Sequence, residues 1–141
     1  MSIELHIFMP ESVAVTARAW QQAISAAGFP TALDAGIDPE AHSGFLPATY
    51  NGKSTGFEFH LDRASEVLVA YPHIADRVGA RAKCATFRWG GNFSEMCAAL
   101  SAAAALASLA DGLYFYPDDD VVYEAEEALL ATRRDLKAVR A

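Results

Sequence analysis

Asn51-Gly52, set between FLPATY and KSTGFEFHLD, is the most restrictive local signal in this chain. A two-residue Asn-Gly link favours a type I′ turn, which needs positive φ at both positions and folds one strand back on the next. Two neighbouring strands must therefore run antiparallel. Pro47 has no N–H to give to a ladder, so its strand runs along an edge or carries a bulge. After the turn, Phe57, Phe59 and Leu61 alternate with Glu58, His60 and Asp62. A period of two sends the first set to a core and the second set to the opposite face.

The same reasoning extends along the chain. Ile3, Leu5 and Ile7 alternate with Glu4, His6 and Phe8, giving a first strand. Pro10 and Glu11 sit where a helix likes to begin, and Val13, Ala17, Trp20, Ile24 and Ala27 follow at spacings of three and four. Gly28 and Phe29-Pro30 stop that helix. A short strand is expected over 31–34, then a loop over 35–44 broken by Gly36, Pro39 and Gly44. Residues 63–80 read either as a short helix after Ser65, interrupted at Pro72, or as a strand through VLVAY; the helix is the favoured reading. A strand over 82–89 leads through Gly90-Gly91 to Asn92, which has Glu95 three residues on, the spacing of a capping box. The helix that follows runs to about Ala110, and Gly112 ends it. LYFY is a strand, and Asp118–Asp120 are expected to open a last helix reaching almost to the C-terminus. Its acids come first and Arg133, Arg134, Lys137 and Arg140 last, as the helix dipole favours.

The order β-α-β, hairpin, β-α-β-α is that of one α+β domain over residues 1–141. The 82–116 unit reads as a right-handed βαβ crossover. With the hairpin beside it, the sheet is expected to be mixed. A ferredoxin-like sandwich with an inserted β-hairpin and an extra C-terminal helix fits best.

Composition narrows the functions. Hydrophobic residues make up 52% of the chain and charged ones 21%, a balance that supports a core rather than disorder. The formal net charge of −7 argues against nucleic acid and against an anionic membrane surface as partners, because both need a basic footprint. It leaves room for a basic protein partner or a cationic ligand without requiring either. The two cysteines, Cys84 and Cys97, have neither CxxC nor zinc spacing and read as reduced cytoplasmic thiols. MSIELHIF carries an acid and no Lys or Arg, unlike a secretory signal. The uncharged stretch over 96–110 is too short for a bilayer and reads as a buried helix. No GxSxG, HExxH or SxxK motif occurs.

Five groups of residues bear on chemistry. Glu58, His60 and Asp62 share a strand face and offer a carboxylate–imidazole–carboxylate row for a divalent metal or for acid–base work, with His42 or His73 needed to complete a metal site. A solvated strand face is the plainer account, and no metal or other cofactor is expected. Arg88, Gly90, Gly91 and Asn92 could hold a phosphate or carboxylate on free amides at a helix N-terminus, beside one guanidinium. A tight βα turn needs the same glycines. Asp118, Asp119 and Asp120 lack EF-hand spacing and are explained as a helix cap. Cys97 stands near a helix start but among apolar neighbours, which suggests an inert thiol. In the last helix, Val122, Ala125, Leu129, Leu136 and Val139 form an apolar seam, flanked by Tyr123, Glu124, Glu126 and Glu127. Covering its own sheet is the first use for such a seam.

SGFLP, NGKSTGFEF and FRWGGNFSEMCAALSAAAALA, followed by a strand and DDD, resemble small uncharacterised bacterial proteins of ferredoxin-like α+β type. Some of these look like immunity or accessory proteins of toxin clusters. The resemblance covers roughly residues 43–120 and implies no catalytic residues. With the acidic balance, it leads to the expectation of a non-enzymatic cytoplasmic binding module whose acids meet a basic partner. The rival is an anionic-ligand or enzyme domain at Arg88, Gly90 and Gly91, with His60. A homodimer through the edge hairpin or last helix is the third reading.

Overall fold

A computed structural model describes residues 2–140. Asn51 and Gly52 both take positive φ, 52° and 78°, and turn β3 (Gly44–Tyr50) into β4 (Lys53–Arg63), with Tyr50 opposite Lys53. The other elements in chain order are β1 (Ile3–Met9), α1 (Ala17–Ala26), β2 (Thr31–Leu33), α2 (Ala64–Leu68), α3 (Ala75–Val78), β5 (Lys83–Trp89), α4 (Phe93–Ala110), β6 (Leu113–Tyr116), β7 (Val121–Tyr123) and α5 (Ala125–Arg140). The favoured helical reading of 63–80 is therefore the one observed, with a 3-10 turn at Pro72–Ile74 dividing it. Proline there cannot supply the N–H that would continue α2.

The sheet has seven strands in the order β2-β3-β4-β5-β1-β6-β7. Every neighbouring pair is antiparallel, not mixed as the sequence suggested. The reason lies in β1. It inserts between β5 and β6, so the two strands joined by α4 run the same way without touching. Pro47 sits where β3 has already passed the end of β2, which pairs only with Ala48, Thr49 and Tyr50. The absent N–H costs no bond to β2 there.

One face of the sheet carries α1, α4 and α5. Leu5, Ile7, Phe57, Phe59, Ala85 and Phe87 point into it and are buried against Trp20 and the alanines of α4. Eleven of the eighteen residues of α4 are buried, so its small side chains let elements approach on several sides at once. Trp20 Nε1 donates to the Ala102 carbonyl at 2.9 Å, tying α1 to α4. By length and apolarity α4 could also cross a membrane, but its surface is occupied by the sheet and two helices.

The second face is covered in part. Phe8, Cys84, Leu113 and Phe115 pack against Ala64, Ile74 and Val78. No β3 or β4 side chain belongs to this cluster.

Two boundaries depart from expectation. α1 begins at Ala17, not at Pro10-Glu11, because the Thr16 hydroxyl accepts the Ala19 N–H and caps it there. Asp118–Asp120 do not open the last helix. They form a 3-10 turn ending with Asp120 at φ 51°, and Val121-Val122-Tyr123 then pair with β6 as β7. Two valines and a tyrosine suit a strand better than a helix start. α4 ends at Ala110 as expected, but it is Asp111, at φ 52°, that takes the left-handed position after it, while Gly112 sits too close to β1 to carry a Cβ. Val122 belongs to the second-face cluster, not to the seam of α5. Of the expected seam, Ala125, Leu129 and Leu136 do pack on the core, joined by the buried Ala128 and Ala131; the side chain of Val139 lies outside the described residues.

Candidate functional site

Pairing of β4, β5 and β1 brings their polar positions together on the second face. Glu58 stands opposite Arg88, which stands opposite Glu4. One step along, His60 stands opposite Thr86, which stands opposite His6. Asp62 then stands opposite Cys84. Glu58, His60, Arg88, Glu4 and His6 thus share one surface. β1 supplies Glu4 and His6, whose role the sequence hid. Their alternation along the first strand was visible, but the pairing of β1 with β5 is a contact across some eighty positions and has no local signal.

Within this surface most of the polar groups pair with one another. Arg88 donates to the Glu4 carboxylate through both Nε, at 3.0 Å, and a terminal nitrogen. Burial pushes the Glu4 carboxyl up, but Arg88 and then His6 outweigh it and hold the carboxyl below its ordinary value. His60 lies 3.0 Å from Asp62. His6 Nδ1 lies 2.9 Å from the Thr86 hydroxyl, while its Nε2 is buried without a hydrogen bond, 3.5 Å from Glu4. Burial lowers the His6 pKa, against the attraction of Glu4, and His60 and Arg88 lower it further. The balance favours the neutral imidazole.

Glu4, His6 and Thr86 follow the order acid, imidazole, hydroxyl. However, Thr86 and His6 are each only 3% exposed, and the ring of Tyr71 lies 5.7 Å from that of His6. A hydroxyl so enclosed cannot reach a substrate in this conformation. Cys84 is fully buried and burial pushes its thiol far up, so no thiolate is available. Cys97 is buried as well.

The glycine turn uses its own donors. Gly90 N–H donates to Glu95 Oε1 at 3.2 Å, and Asn92 Oδ1 accepts the Ser94 and Glu95 N–H groups at 2.9 and 3.3 Å. The carboxylate of Glu95 and the amide of Asn92 occupy the place an anion would take. Gly91 has open space around it. Among the described residues no three His, Cys, Asp or Glu side chains converge in a way that could hold a metal. His42 turns to the Gly44 and Phe45 carbonyls at 3.1 and 3.0 Å, and His73 to Asp120 at 2.8 Å.

The open end of the sheet holds a concavity of about 600 Å³. Phe45, Pro47, Thr49 and Ser54 line it, with Asp34 and Glu95 as its charged groups, both acidic. Phe45 is 56% exposed and stands opposite Glu58 on β4. Its ring lies over Gly56, where a Cβ would collide with it and stand 2.5 Å from the Leu46 carbonyl. The glycine therefore makes the platform for the exposed ring. Sequence reasoning placed Phe45 beside a loop and missed this.

No family model, curated protein or solved structure matches the chain.

Proposed function

We propose that this chain is a non-enzymatic protein-binding module that receives a basic, partly apolar segment of a partner at the β2–β3–β4 end of the sheet. The observation that carries this reading is the concavity around Phe45. An exposed aromatic ring lines this hollow, its charged lining groups, Asp34 and Glu95, are acids, and Glu58 stands opposite the ring on β4. Aromatic anchors and complementary charge are what transient interfaces use. The chain's net charge of −7 acts in the same direction at longer range. An immunity-like inhibitor that covers a basic surface would use these features.

The framework for this surface is a ferredoxin-like core with additions. The strand order β4-β5-β1-β6, with α1 after the first of these strands in the chain and α4 before the last, supports that reading. The β2–β3 pair before it and β7–α5 after it are the additions. A site for an anionic ligand at Arg88, Gly90 and Gly91 is less well supported, because Glu4 and Glu95 already take the Arg88 and Gly90 donors.

Selection from a displayed random-peptide library against the whole chain tests the proposal. Enriched peptides should carry Lys or Arg next to an aromatic or aliphatic residue. Phe45→Asp should weaken their binding at least tenfold, and affinity should fall as salt is raised. Enrichment of acidic peptides, or binding indifferent to Phe45→Asp, would refute it.

A further inference from the structure

A second cavity lies on the helical side of the sheet and takes no part in the reading above. It measures about 250 Å³ and opens between α4, α5 and the β6–β7 pair. Tyr114, Tyr116 and Tyr123 line it together with Met96, Leu100 and Leu136, and its charged groups are Asp119 and Asp135. Tyr114 and Tyr123 stand directly opposite each other across β6 and β7, with ring centroids 5.7 Å apart. Tyr116 is steadied from behind by Trp89, whose ring stacks on it at 6.4 Å with an interplanar angle of 8°.

The electrostatics of this cavity have one sign. Among the described residues, no Lys, Arg or His lines it. Burial, with Asp118 and Asp119, pushes the Tyr116 hydroxyl up. Burial raises Tyr114 as well, with Tyr116, Tyr123 and Asp135 adding to it against a hydrogen bond from Thr132. Tyr114 and Tyr116 thus face carboxylates, and Tyr114 lies beside both of the other phenols. Among the described residues Asp119 makes no ion pair, and Asp135 at the rim is paired through one oxygen with Arg134 at 3.3 Å. Phenol rings carry a negative face, and an acid at the rim of an aromatic cavity adds to the attraction for a cation. Anions and neutral polar molecules gain nothing comparable here.

We propose that this cavity binds a small organic cation, with an alkylated ammonium head group held among Tyr114, Tyr116 and Tyr123 and its charge answered by Asp119 and Asp135. A compact ammonium with methyl groups meets both demands at once, since its surface is apolar and its charge is diffuse. Two sources present that chemistry: a free quaternary ammonium compound, and a methylated lysine side chain on another protein.

Calorimetric titration of the full chain distinguishes them. One arm uses choline, a second uses a short peptide bearing trimethyl-lysine, and a third uses 3,3-dimethyl-1-butanol, the neutral carbon analogue of choline. Saturable binding of at least one cation is expected, with the neutral analogue about tenfold weaker or worse. The tighter of the two cations identifies the source. Asp119→Asn, an exposed change that leaves the core alone, should weaken binding severalfold. Tyr123→Leu should weaken it about tenfold, while Tyr123→Phe, which keeps the ring face, should retain it. The proposal fails if neither cation binds saturably, if the neutral analogue binds as well as choline, or if Tyr123→Leu binds as the parent does.

Discussion

His6 shows how a single side chain makes this fold sensitive to acid. Its ring is buried between Thr86, Tyr71 and Phe115, with Glu4, His60, Arg88 and Cys84 as its titratable or charged neighbours. Burial first, then His60 and Arg88, keep its folded pKa below 6.5 in spite of Glu4. Between that lowered value and the unfolded one, the unfolded chain binds more protons than the folded chain. The contribution of His6 is therefore complete above about pH 6.5 and is lost as pH falls towards the folded value. Urea unfolding measured from pH 7.5 to 5 should show a decline, limited for one group to about 1.4 kcal/mol per pH unit. His6→Gln should flatten it over this range. An equal slope in the variant would mean that the acid sensitivity resides elsewhere. Glu4, whose folded pKa is lowered, adds a separate loss only at pH values below about 4.5. The sequence displayed Glu4 and His6 as ordinary alternating positions of a strand. Their significance comes from Arg88 and Thr86, which adjoin them only once β1 lies against β5.

Among the elements, α4 and the turn after it illustrate what could be read locally and what could not. The start of α4 was legible, because Asn92 and Glu95 form their cap within four residues. The alanine run announced a helix, and its burial explains why alanine is used there. Enlarging a side chain in the middle of that run, as in Ala103→Leu, should cost about 1–3 kcal/mol in urea unfolding, because Ala103 is fully buried. Gly112 is a different matter. A Cβ there would stand 2.8 Å from Ile7 Cγ2 and 3.1 Å from the Phe8 carbonyl. Gly112→Ala should therefore destabilise by about 1–3 kcal/mol, whereas Gly91→Ala, which meets nothing within 4 Å, should change stability far less. Similar losses in both would contradict the packing account. The last helix was misplaced for a related reason. Three aspartates look like a cap, but Val121–Tyr123 gain more by pairing with β6, and the helix starts only after them. The mixed sheet failed likewise, since β1 inserts between two strands that adjoin in sequence through α4.

For the molecule as a whole, sidedness decides what surface is left for a partner. Three helices occupy one face of the sheet, and the 64–78 segment covers part of the other. The hairpin that the sequence announced most clearly then projects past that cover and carries Phe45 into the open. The acidic charge was legible from composition. Its concentration around one exposed aromatic ring was not, because Asp34, Phe45, Glu58 and Glu95 come from four separate segments. If the hollow is a docking site, association should be steered by charge, and the association rate with a basic peptide should fall steeply between low and physiological salt. Stopped-flow measurements at two salt concentrations check this, and a salt-independent rate would contradict it.

The most direct test is a nuclear magnetic resonance titration of the labelled chain with the tightest basic peptide from the library. Binding at the Phe45 hollow should produce saturable shifts at Asp34, Phe45, Thr49, Ser54 and Glu58. Saturable shifts confined to Glu126 and Glu127 on α5, or none at all, would contradict it.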